Sequence, residues 1–154
     1  MRVRFVSGAA LAATLVLISG CGGSSSSDQT AKFKTSYASV VAHLENSSKA
    51  IATAIQQAAS KSDAQIGTTF RDMATGWQSQ LSQLETLKPP SKVAADLNTL
   101  TSAATRVESD LNAIVAAAGT HSKAAAEQAT ASVLADLIAV KSGAEILNQK
   151  VGIK

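Results

Sequence analysis

Aromatic side chains are scarce in this 154-residue chain: Phe5, Phe33, Tyr37, Phe70 and Trp77 are all there are. A sandwich or barrel draws on aromatic and β-branched residues and on frequent turn signals, so an all-β fold is excluded. The two prolines stand together at positions 89 and 90, leaving long stretches with no helix breaker. A single cysteine, Cys21, rules out a disulfide framework within the chain, so stability must come from packing. Charged residues make up 16%, below the usual quarter. The surface must therefore be built largely from Ser, Thr, Gln, Asn and Ala. The net charge of +3 overstates the basic character, because Arg2 and Arg4 lie at the very start. The rest carries twelve Lys and Arg against eleven Asp and Glu. No basic stripe with interleaved aromatics is present, so no nucleic-acid partner is expected.

What is present begins with a basic Met1-Arg2-Val3-Arg4, followed by a 16-residue apolar run from Phe5 to Gly20. A membrane-spanning helix needs about 20 such residues, so the run suits the hydrophobic region of a secretory signal peptide. It closes on Leu17-Ile18-Ser19-Gly20-Cys21. An aliphatic residue, two small residues and a cysteine in this order resemble the lipobox of bacterial lipoproteins. The resemblance covers only these first 21 residues. It implies signal-peptidase recognition through Ile18, Ser19 and Gly20, and cleavage before Cys21. It also implies a thioether-linked diacylglycerol on that thiol, with acyl chains of the palmitate kind. Two or more acyl chains make a firm anchor, since each buried methylene contributes about 0.8 kcal/mol. The expected address is the extracytoplasmic face of the cell membrane. The domain reading is then a signal peptide over 1–20, a lipidated Cys21 with a flexible Gly/Ser linker over 21–30, and a folded part over 31–154.

That folded part carries four segments with apolar residues spaced four and three apart, which places each set on one helical face. They run over about 31–59 (Tyr37, Val41, Leu44, Ile51), 63–88 (Phe70, Trp77, Leu81, Leu84), 91–118 (Leu97, Leu100, Val107, Leu111) and 121–151 (Val133, Leu137, Val140, Leu147). The punctuation agrees. Ser62-Asp63-Ala64-Gln65 fits a capping box. Pro89-Pro90 must stop the second segment. Ser91 is expected to cap the third and Gly119 to close it in the left-handed conformation. Thr120 or Ser122 caps the fourth, and Gly152 ends it. Connections this short make neighbours antiparallel. The predicted fold is all-α, an up-down-up-down antiparallel four-helix bundle. The tract Leu84-Glu85-Thr86-Leu87-Lys88-Pro89-Pro90 loosely resembles a link in small helical lipoproteins of actinobacterial type, and this implies no activity.

The predicted seams contain no Asp, Glu, Lys, Arg or His, and their polar members are Ser48 and Thr130. A di-iron bundle would need inward glutamates and paired Glu-x-x-His motifs; neither histidine has a Glu three residues before it. Two long helices, a Pro-Pro link and two more helices resemble the b-type cytochrome bundle. That family takes a Met near the start of its first helix and a His late in its last. Here the first helix has no Met, and the last has only His121, at its beginning. No cofactor or metal is expected, and enzyme motifs such as G-x-S-x-G, the phosphate loop and H-E-x-x-H are missing. Trp77 falls on a seam and reads as core, with contact to a partner or ligand as the functional alternative. The function expected is a non-enzymatic interaction or scaffold module with an envelope protein as partner. The alternative is a bundle binding a small molecule, a lipid or haem.

Overall fold

The computed structural model describes residues 26–153. Cys21 with Ile18, Ser19 and Gly20 lies outside the described residues, as does the leader. Four helices follow one another: α1 (Ser26–Gln57), α2 (Asp63–Glu85), α3 (Ala94–Gly119) and α4 (Lys123–Val151). Short 3₁₀ turns at Ala58–Ser60 and Ser91–Val93 complete the regular structure. At 1.5 Å per residue the helices are about 35–48 Å long. α1 begins at Ser26, within the stretch expected to be linker; Asp28 in its first turn complements the helix dipole there.

Each junction has a local cause. Ser62 caps α2 as a full capping box: Gln65 N donates to Ser62 Oγ at 3.3 Å, and Ser62 N donates to Gln65 Oε1 at 2.9 Å. α2 stops at Glu85, before the expected Lys88. The residue before a proline is pushed out of the helical region, and Leu87 N closes a tighter turn on Leu84 O at 3.2 Å. Ser91 makes no side-chain cap; it opens the 3₁₀ turn that leads into α3, with Val93 N on Pro90 O at 3.0 Å. Gly119 is the last residue of α3 and keeps helical geometry, so the left-handed position expected there falls on His121, at φ 53°. Ser122 N returns to Ala117 O at 3.0 Å across that turn. Ser122 then caps α4, accepting from Ala125 N at 3.4 Å. Gly152 ends α4 at φ 69°, as expected, with Ile153 N on Asn148 O at 2.9 Å.

Pairs across the bundle show the antiparallel order, because partner numbers fall as the others rise. Trp77 Nε1 donates to Ala104 O at 2.8 Å, while the Gly67 Cα faces Ala118. Arg106 pairs with Asp136 and Asp96 with Lys150. Tyr37 Oη donates to Ala144 O at 3.1 Å, and Lys34 Nζ to Gly152 O at 2.5 Å. α1 therefore closes the bundle against both α2 and α4. The core is one cluster of Leu, Val, Ile and Ala around Trp77, Tyr37, Phe70 and Phe33, the last stacked on Tyr37 with ring centroids 5.5 Å apart. Among the described residues no polar or charged residue other than Tyr37 and Trp77 is buried as a whole, but the side-chain oxygens Gln80 Oε1, Asp110 Oδ2 and Asn148 Oδ1 are buried without a partner.

Packing is uneven. α3 lies closely along α2 and α4, whereas α1 stands farther off from α4, with the fewest close backbone approaches of the neighbouring helix pairs. Gly143 explains one side of this: a Cβ there would come within 3.4 Å of Leu100 Cβ, so the missing side chain lets α4 settle onto α3. No comparable close approach draws α4 to α1, and the shortfall leaves a groove.

Candidate functional site

The groove between α1 and α4 has a volume of about 720 Å³, within the range of roughly 300–1,000 Å³ that small-molecule pockets occupy. Val41, Leu44, Ser48 and Ala52 line it from α1; Leu134, Leu137, Ile138, Val140 and Ala144 line it from α4. Ser48, predicted on the seam, is half-buried and spends its hydroxyl on Leu44 O at 2.7 Å, so it presents no free donor to a ligand. The rim is charged in both signs: Glu45 and Lys49 on α1, Lys141 and Glu145 on α4. Lys141 Nζ and Glu145 Oε1 lie 3.9 Å apart, an exposed i,i+4 pair of small energetic weight.

Leu134 (40% exposed), Ile138 (67%) and Ile146 (48%) are the large apolar side chains left on the surface among the described residues, and all three belong to α4. The first two form the groove's α4 lip. They were missed because the spacing argument assigns each helix one apolar seam. A signal for them was nevertheless present. Between Glu127 and Lys141, α4 carries a single charged residue, Asp136, and Asp136 accepts from Arg106 Nε of α3 at 2.8 Å. A helix that is apolar nearly all round is normally covered on all sides.

Trp77 does not serve as a contact residue. It is fully buried, its ring packed in the core and its N–H spent on Ala104 O. This agrees with the reading of Trp77 as core; the alternative, contact with a partner or ligand, finds no exposed indole surface in this structure. His43 is exposed on α1. His121 is exposed too, with Nδ1 2.5 Å from Asp63 Oδ2, joining the α3–α4 turn to the start of α2.

Two titrating groups are displaced from their ordinary ranges. Burial, reinforced by Glu45, pushes the Tyr37 hydroxyl far up, consistent with a donor locked onto Ala144 O. Asp110 on α3 is also raised. Desolvation is the main cause, Asp136 adds like-charge repulsion and a carboxyl–carboxyl hydrogen bond, and Arg106 pulls the other way. This pair lies between α3 and α4, away from the groove. Among the described residues no three His, Cys, Asp or Glu side chains gather into a group able to hold a metal ion. No described helix is long and apolar enough to cross a membrane. No protein-family model matches the chain, and no curated protein or solved structure matches it. What the arrangement offers is apolar contact: a greasy groove with a protruding lip and a neutral, mixed-charge rim.

Proposed function

We propose that this chain is a membrane-tethered, non-enzymatic interaction module of the cell envelope. A lipid on Cys21 holds it at the extracytoplasmic face of the cell membrane, and a protein partner docks in the α1–α4 groove. One observation carries the docking half: Leu134 and Ile138 stand exposed beside an apolar groove, on a bundle whose other large apolar side chains are nearly all packed inside. Apolar side chains left together on a surface mark interaction sites. The lipobox-like Leu17-Ile18-Ser19-Gly20-Cys21 supports the tether.

Affinity capture of the full chain from envelopes tests the docking half. Wild type is expected to retain a protein that Ile138→Asp loses, with the helical circular dichroism of the two unchanged. Equal capture by both overturns the groove as the docking surface.

A second reading is favoured by the groove's size and apolar walls: a small apolar molecule or lipid binds there. Its lining includes no His, Met or Cys, so haem is the weakest form of this reading. Native mass spectrometry decides it. A bound apolar mass that disappears when Ala52→Phe fills the groove supports a ligand, and a bare chain mass counts against one.

A further inference from the structure

The groove rests on the reading above as a docking surface, and its features select one occupant. We infer that the partner is a second copy of this chain, joined about a twofold axis through the α1–α4 face. A twofold contact uses the same patch on both molecules, so the patch must carry both a projection and a recess that receives it. This face carries both. Leu134 and Ile138 project from α4, and the recess lined by Val41, Leu44 and Ala52 lies beside them. Each copy seats its lip in the other's groove.

Charge makes the same selection. The rim presents Glu45 and Glu145 with Lys49 and Lys141, two of each sign on one surface. A strongly acidic or basic partner gains nothing from such a rim, and anionic lipid headgroups or nucleic acid gain no more. A copy of the same surface sets Lys against Glu across the contact. The outer face of α4 agrees: between Glu127 and Lys141 its one charged residue, Asp136, is already engaged with Arg106 of α3, so the lip itself brings no charge into the contact.

The contact is short. The groove's α4 side, Leu134 to Glu145, spans about 17 Å of helix at 1.5 Å per residue, and a stable interface covers about 800 Å² on each partner. The pair is therefore weak in dilute solution and forms where tethering concentrates the chains.

Cysteine cross-linking of the full chain in its own membranes tests this. Ile138→Cys places a thiol on the lip, and Ser79→Cys places one on exposed α2, away from the groove. Both positions are exposed, so the fold tolerates the change; wild type, whose one cysteine carries the proposed lipid, is the background. With a short bis-maleimide to bridge the two lips, expected is a cross-linked species of twice the monomer mass from Ile138→Cys, at least about tenfold above Ser79→Cys and wild type, the ratio that 1.4 kcal/mol of preference produces. Equal dimer yields from both positions overturn the inference, because random collision then suffices. An Ile138→Cys adduct with a different protein overturns the second copy while sustaining the groove as a docking surface. No adduct of either kind overturns both.

Discussion

His121 shows how one residue can carry two opposed effects. Its backbone sits in the left-handed region at φ 53°, which costs a non-glycine residue about 1 kcal/mol or more. Its ring meets Asp63 in an exposed pair, and such pairs contribute little. Relief of the backbone outweighs loss of the pair. His121→Gly is expected to leave thermal stability equal or higher, whereas His121→Val, β-branched at positive φ, lowers it by about 1–2 kcal/mol. Thermal melts of the two variants check the order, and a less stable Gly variant contradicts it. Asp110 gives a pH signature. Its raised carboxyl means that the folded chain binds that proton more tightly than the unfolded chain does, so this group's contribution improves as pH falls. In its ionised form it sits desolvated beside Asp136 and opposes the fold. Asp110→Asn is therefore expected to melt higher than wild type near pH 7, with the gap closing as acid protonates Asp110. A gap that widens in acid would reverse the sign.

At the level of the helix, much was legible in the sequence because the signals are local. The capping box at Ser62, the stop at Pro89-Pro90, the Ser122 cap and the Gly152 terminus each depend on a few neighbouring residues, and each appears as expected. Removing the Ser62 hydroxyl in Ser62→Ala takes away a cap worth about 1 kcal/mol, which urea unfolding would register; no change would mean that the cap is idle. Gly119 was misread because a glycine at a helix end fits both the last helical residue and the left-handed position after it. The chain placed the bend at His121, where Asp63 is within reach. The seams were right but too narrow. Val40, Ala54, Ala74, Ala103 and Ala129 are buried beside them, since a helix packed on two neighbours buries a face wider than a strict four-three row. The groove itself was not legible. It arises from how far α1 stands from α4, which depends on contacts such as Leu100 under Gly143 that no single helix encodes. The same unevenness predicts dynamics. Backbone amides of α1, the helix with the fewest close approaches to its neighbours, should exchange with solvent faster than those of α3, which lies closely along two neighbours. Equal protection of the two helices would show that packing in solution is more even.

For the whole molecule, a core packed from one hydrophobic cluster leaves surface and address to carry function. The proposed address hangs on Cys21, at the end of an apolar run and five residues before the first helix begins. Five residues span at most about 18 Å, so the lipid proposed for Cys21 would hold the bundle's first helix close to the bilayer and the α1–α4 face among neighbouring anchored chains. The most direct measurement is the intact mass of the protein extracted from its native envelope. The expected mass is that of the chain beginning at Cys21 plus a diacylglyceryl or larger lipid modification on that residue. A chain that keeps residues 1–20 and carries an unmodified Cys21 would contradict it.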